Sequence, residues 1–341
     1  MTDDRLYGQT IEGHRHVWKK QKRNQMMIIR EWTPEDEVGV RRLFSQCFGK
    51  ELSHEEWSWK YLDSPWGGAG TVVVDDEQIV AHYGALKTKF YGKGKYYDVF
   101  QPCDVMTHPK YRARFFTKKG AMVKAGELFY SVNPMDFAFG FPSERHAILG
   151  TKQLGYTEHG YVSVLRKEGL ESASFANPLL RIEQAWDAVN PTELDALWLG
   201  VKDEYGLTIE KDAKYIFWRY RDHPSRRYEP LLIRNRYKRK LRAFAVLHAT
   251  EDELCIMDLF CEKMMNVKSV LRLIENKAIQ LGLKAVTMWV NPHENLNETL
   301  ADWGYRSGKG VPYIFKIIRE GITAPFLFDN YCYRMGDYDA A

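Results

Sequence analysis

Asp104-Val105-Met106-Thr107-His108-Pro109-Lys110-Tyr111-Arg112-Ala113-Arg114-Phe115-Phe116-Thr117 is the stretch on which the fold turns. Residues 103–107 read as a strand, closed at the His108-Pro109 step because a residue before proline is held out of the helical region. A basic loop follows, and a helical pattern runs from Phe116 to about Phe129. Strand, basic loop and helix start make an anion site. The first amides of a helix lack intrahelical partners and carry its positive dipole end, and Arg112 and Arg114 add full charges.

Outward from that stretch the chain repeats itself. Trp59-Lys60-Tyr61-Leu62-Asp63-Ser64-Pro65 returns as Trp218-Arg219-Tyr220-Arg221-Asp222-His223-Pro224, at an offset of 159 residues. Leu154-Gly155-Tyr156 returns as Trp303-Gly304-Tyr305, at an offset of 149. Two phrases recurring in the same order at nearly the same distance indicate a duplicated domain of about 150 residues, a period too long for a solenoid.

The elements repeat in the same order. In the first copy a strand at 28–30 leads into a helix that Thr33 caps and Pro34 opens, with Val38, Val40, Leu43, Phe44 and Cys47 at helical spacing. Trp57 to Tyr61 belong to a second helix. Strands are expected over 71–74, 78–86, 87–91, 95–100 and 136–141, a helix over 143–154 and a last strand over 161–165. Residues 168–180 are small and polar, as a linker is. The second copy offers strands at 231–234, 243–248, 253–260 and 285–290 and helices at 266–281 and 296–303. Trp57, Trp59, Tyr61, Trp218 and Tyr220 read first as core anchors.

Composition bounds the alternatives. The 341 residues fit two domains, and 45% hydrophobic and 28% charged residues are ordinary for a globular chain. No run of 18 apolar residues offers a membrane span, and residues 1–26 have no apolar core of a secretory signal, only a polar, loosely ordered extension. Five cysteines without a regular spacing read as reduced thiols in a cytoplasmic protein. The net charge of +4 suits an anionic cofactor; the basic run 226–242 reads first as solvated strand faces and their turn.

Thr107-His108-Pro109-Lys110-Tyr111-Arg112 resembles the cofactor turn of the GNAT acetyltransferase superfamily. Phe139-Gly140-Phe141-Pro142 and Leu154-Gly155-Tyr156 resemble that family's fifth strand and the corner after its fourth helix. With the Trp-Lys-Tyr phrase, residues 27–341 resemble a bacterial subgroup of tandem GNAT proteins. The resemblance implies an α/β (α+β) chain of two tandem GNAT folds, each a mixed, bent, largely antiparallel sheet flanked by helices. It divides the chain into an extension (1–26), an acyl-CoA-binding domain (27–167), a linker (168–180) and a second domain with a degenerate cofactor site (181–341).

It also implies a chemistry. Acetyl-CoA or another acyl-CoA would lie between the strands ending at Thr107 and Phe141, against Val105, Met106 and Thr107. Its pyrophosphate would rest on Arg112, Ala113, Arg114, Phe115, Phe116 and Thr117. His82 and Tyr83 would face the acceptor amine. Asp104 is the candidate base, and Ser143, Glu144 and His146 are the other candidate catalytic groups, each of which also reads as an ordinary strand or helix-start residue. The chain departs from the family where Ala113, Phe115 and Thr117 replace glycines and where Thr151 replaces the usual acid, a tyrosine. The expected function is acyl transfer to the amine of a small molecule, such as an amino sugar, with no metal, membrane or nucleic-acid partner. The rivals are a non-catalytic GNAT-fold binding protein and a tRNA-dependent aminoacyl transferase. Self-association stays open.

Overall fold

The computed structural model describes residues 7–11, 15–19, 26–115, 120–158, 160–171, 179–262 and 267–338. They form two compact units that interleave in sequence. The first takes its described residues from 1–88, 98–158 and 314–321, the second from 89–97, 159–313 and 322–341.

In the first unit the strands are β1 (Tyr7–Ile11), β2 (Arg15–Lys19), β3 (Met26–Glu31), β4 (Gly68–Asp75), β5 (Gln78–Gly92) as far as Thr88, β6 (Lys95–Thr107) from Asp98, and β7 (Phe137–Gly140). They follow one another in sheet order. From β1 to β5 neighbours pair antiparallel, and β6 pairs with β7 parallel. β1 and β2 lie where composition suggests a loosely ordered extension; backbone pairing onto the free edge of β3 is not legible in residue type. The helices are α1 (Glu37–Phe48), α2 (His54–Tyr61), α3 (Arg112–Phe115), α4 (Ala121–Val132) and α5 (Glu144–Leu149), which runs on as a π turn over Gly150–Leu154. On α4, Ala121, Met122, Ala125, Leu128 and Phe129 pack on Ile29, Val73, Ala81, Tyr83, Phe100 and Ala138 of the sheet. Each fully buried Leu, Met or Phe contributes about 1.5–3 kcal/mol, so this face holds the helix in place.

The second unit repeats the plan with β8 (Gly160–Glu168), β9 (Leu180–Glu183), β10 (Thr208–Ile209), β11 (Glu229–Asn235), β12 (Leu241–Ala249), β13 (Glu253–Cys261), β14 (Ala285–Trp289) and β15 (Arg306–Ile317). Its helices are α6 (Pro191–Val201), α7 (Ala213–Ile216), α8 (Val267–Gln280), α9 (Leu296–Asp302) and α10 (Ala324–Asn330). Val270, Leu271, Ile274 and Ala278 of α8 cover Ile233, Ala245, Ile256 and Val286, as α4 covers the first sheet.

The last strand of each copy is exchanged. β8 follows the Leu154-Gly155-Tyr156 corner of the first copy but pairs with β14 of the second. The strand expected over 161–165 therefore completes the second unit's sheet. Reciprocally, Ile314–Ile317 of β15 pairs with β7 of the first unit. The exchange keeps the repeat's register: Lys167 on β8 and Lys316 on β15 stand 149 residues apart, the offset of the two corner glycines. Each lysine caps the corner that receives it. The Lys316 ammonium donates to the Leu154 carbonyl at 2.5 Å, and the Lys167 ammonium sits 5.0 Å from the centre of the Trp303 ring. Gly155 (φ 69°) and Gly304 (φ 91°) make the turn in the left-handed region, where a side chain is disfavoured.

Gly84 on β5 is a close-approach glycine. A Cβ there would stand 2.4 Å from Cε1 of His82, 2.6 Å from the Tyr61 hydroxyl and 3.0 Å from the Cys103 carbonyl. Gly84→Ala should destabilise the first unit by about 2 kcal/mol through overpacking, read as a lower midpoint with unchanged slope in urea unfolding. A wild-type midpoint would show that the His82–Tyr61 layer is looser than described.

Candidate active site

β6 and β7 form a fork. They pair only through Val99 with Phe137 and Phe100 with Ala138. Beyond that point β6 continues to Thr107 and β7 to Gly140 without pairing to each other. Gly140 is buried without crowding: a Cβ there would meet only the Pro102 carbonyl, at 3.9 Å, among the described residues. The backbone irregularity that accompanies the divergence is Asp104, at φ 49° in mid-strand. A non-glycine residue in that region is strained and persists only when its surroundings hold it.

The surroundings do hold it. The buried Asp104 carboxylate accepts from Lys60 Nζ at 3.0 Å and from the Tyr61 hydroxyl at 2.7 Å, and its carbonyl accepts from Nδ1 of His82 at 3.1 Å. Burial alone would raise its pKa, but Lys60 and then Tyr61 outweigh that and hold it below the usual carboxylate range. Asp104 is thus a paired anion. His82 is fully buried between Trp57 and Tyr61, and burial takes its pKa from 6.5 down to about 4, against the pull of Asp104. Its Nδ1–H is committed to the Asp104 carbonyl; its Nε2 finds no hydrogen-bond partner among the described residues, nor does the buried Thr107 hydroxyl.

The mouth of the fork is basic. Pro109–Tyr111 is a 3-10 turn and Arg112–Phe115 a helical turn, and no residue from His108 to Phe115 has a positive φ. Ala113 and Phe115 therefore occupy backbone that does not require glycine. Arg112 is exposed and donates from Nε to the Thr107 carbonyl at 3.3 Å, which Cys47 also approaches at 3.3 Å. Across the fork His146 opens α5. Ser143 Oγ lies 2.9 Å from its Nδ1. The His146 side chain is exposed; desolvation by its neighbours, then Arg145 and Arg112, lower its pKa and so favour the neutral imidazole. The Arg112 charge, on the loop after β6, thus acts on His146, on the helix after β7. Glu144 is exposed on the same first turn.

His82 and Tyr83, neighbours on β5, face opposite sides of the sheet, so they do not share a surface. Tyr83 joins Tyr130 and Tyr156 in a buried ring of three hydroxyls, with Tyr83 at 2.8 Å from Tyr130 and 3.0 Å from Tyr156. Val105 packs toward the α4 core, and Met106 and Thr107 are buried. Phe116 and Thr117 lie outside the described residues, as do the side chains of Arg114 and Phe115. Lys60 and Tyr61, not singled out as Asp104's partners from sequence, were present in the repeated phrase itself. In the basic run, Arg234 pairs with Glu183 and Glu193, and Lys240 and Arg242 pair with Glu262, which offsets part of its charge.

The phrase makes the same contact in the second unit. Tyr220 donates to Asp258 on β13, as Tyr61 does to Asp104. The cation differs. Arg219 turns to the carbonyls of Gly336 and Tyr338, and Lys211 pairs with Asp258 instead. In both copies the tyrosine of the phrase supports a strand aspartate.

Comparison with known proteins agrees with this geometry. Residues 28–159 match the family model described as an acetyltransferase (GNAT) domain. A structure from Enterococcus faecalis described as a probable N-acyltransferase superposes with a TM-score of 0.66 at 11% identity, over 86% of this chain and 73% of that one. A GCN5-related N-acetyltransferase from Anabaena variabilis gives 0.64 at 14%, over 85% and 73%. A tandem GNAT protein from the clavulanic acid biosynthesis pathway gives 0.55 at 10%, over 87% and 99%. No curated protein sequence matches. Residues 28–159 are therefore a GNAT acetyltransferase domain, and the chain has the tandem GNAT fold.

Two outcomes follow from the buried cluster. Asp104→Asn leaves the Lys60 ammonium buried beside a neutral amide and should cost about 3 kcal/mol; adding Lys60→Met should recover part of that loss, so the double-mutant cycle shows positive coupling of about 1 kcal/mol or more. Additive costs would disprove the pairing. For His82 the unfolded state binds a proton from pH 6.5 downward and the folded state only near 4. Its contribution is complete above pH 6.5 and is lost as pH falls from 6.5 to 4, about 3 kcal/mol in all. His82→Asn should flatten urea stability over that window; an unchanged slope would place the imidazole in solvent.

Proposed function

We propose that the first unit is an acyl-CoA-dependent N-acyltransferase domain acting on the amine of a small molecule. The observation that carries this reading is the fork between β6 and β7 with Arg112 at one lip and neutral His146 at the other. The residues fit the cofactor: an uncrowded glycine at 140, a divergent strand held by a paired carboxylate, and a cationic mouth. Residues 101–107 and 139–140 would flank the pantetheine, and Arg112, with the amides at the α4 start near Gly120, would meet the phosphates. Bound acyl-CoA supplies an activated thioester carbonyl for attack by a neutral amine.

The chain's own part is to desolvate and to move protons. Asp104 is paired and His82 enclosed, so neither meets a substrate amine directly. His146, neutral and oriented through Nδ1 by Ser143, is the group suited to take the ammonium proton. Amino sugars are the first acceptors to test. For the tRNA reading, Arg234, Lys240 and Arg242 of the run 226–242 are matched by acids, which lessens the charge the run offers to a nucleic acid.

Acetyl-CoA in 100-fold excess over its Kd should stabilise the protein by about 2.7 kcal/mol, read as a rise in Tm. Arg112→Ala should weaken binding about tenfold, the effect of one lost ionic contact. His146→Ala should retain the Tm rise while thiol release with an amine panel falls about 100-fold. No Tm rise at millimolar acetyl-CoA would leave the non-catalytic reading; a His146→Ala enzyme of full activity would move the base elsewhere.

A further inference from the structure

The second unit has a fork of the same kind. β13 pairs with β14 from Glu253 with Ala285 to Ile256 with Met288, and then runs on to Cys261 paired with β12 but not with β14. The pairing of β13 with β12 shifts register at the same place, so Met257 is an extra residue beside Asp258, as Asp104 is irregular in β6. This fork is filled, and what fills it is the chain's own segment 331–338.

On the β13 side, Gly336 lies so close that a Cβ would be 3.0 Å from the Met257 carbonyl and 1.8 Å from the Tyr220 hydroxyl. Asp337 accepts from Lys211 at 2.8 Å, and Lys211 also pairs with Asp258. On the β14 side, Tyr338 stacks on Trp289 with ring centres 5.7 Å apart, and the Tyr333 hydroxyl reaches the Val290 carbonyl at 3.4 Å. Just past β14, Asn291 donates to the carbonyls of Tyr331 and Phe328. The segment is buried: Tyr331, Tyr333, Arg334 and Asp337 are each at most 3% exposed. It contacts both diverging strands at the first residues beyond their last pair.

We infer that segment 331–338 is an internal ligand of the second fork, so that one chain takes one acyl-CoA, at the first fork. The count of one rests on the function proposed for the first unit; the occupancy of the second fork does not. Asp337 is the key of the plug, since it brings a carboxylate to Lys211, and Gly336 is the residue that permits the approach. A second cofactor would have to displace at least four buried side chains and break the Lys211–Asp337 pair.

Two measurements on the full-length chain test this. Native mass spectrometry with excess CoA counts bound molecules, and hydrogen exchange follows amides 257–261 and 331–338. One CoA per chain is expected. In the wild type the two amide groups should be protected together and open together; Asp337→Asn and Gly336→Ala should speed exchange in both groups at least tenfold while β4 and β5 stay unchanged. Two CoA per chain, or a rapidly exchanging 331–338 beside a protected 257–261, would overturn the inference. No bound CoA with joint protection would sink the reading of the first fork and leave the plug standing. The wild-type exchange pattern decides the matter even if a variant fails to fold.

Discussion

A carboxylate buried in the middle of a strand must be given a cation and a donor, or it will not stay ionised. Both copies meet that demand at the point where a parallel pair of strands comes apart. In the first, Lys60 and Tyr61 arrive from one turn of α2 to hold Asp104. In the second, Tyr220 keeps its role but the cation comes from Lys211, outside the helix. The Tyr–Asp bond is the invariant part of the repeat, and the choice of cation is the variable one. With the carboxylate fixed, β6 is held in a left-handed step at Asp104. The fork therefore rests on electrostatics as much as on packing, in surroundings where an unpaired charge is strongly destabilising.

The two forks then diverge in use. The first is followed, after β6, by a helical turn that carries Arg112. The second receives a segment rich in aromatic rings and closed by an acid. A gap between two strand edges exposes unpaired backbone groups and invites something to cover them. Covering one from within removes the need for a cofactor to stabilise that copy, and with it the need for an arginine-bearing turn after β13.

Much of this architecture was legible in residue order. The paired phrases announced duplication, the His-Pro step ended β6 at Thr107, and the corner glycines marked the helix ends. What stayed hidden was long-range. Nothing in 161–165 says that the strand pairs with residues more than a hundred positions away, because pairing uses backbone groups common to every residue. The role of Asp104 was hidden for a similar reason. A strand aspartate reads alike as base or as structural acceptor until its neighbours are known. Conversely, the loss of glycine at 113 and 115 looked like damage, yet the backbone there is helical and does not call for it. His146 and Ser143 were visible as a helix start; their closeness to Arg112 was not.

The exchange of β8 and Ile314–Ile317 has a consequence for how the chain comes into being. During synthesis the first copy emerges with the partner for one edge of β7 still about 175 residues from being made, since distant pairings close late. Until then that edge stands bare, while β8 waits for β14. Neither half can be finished by itself, and assembly is thus timed by the last strand to leave the ribosome.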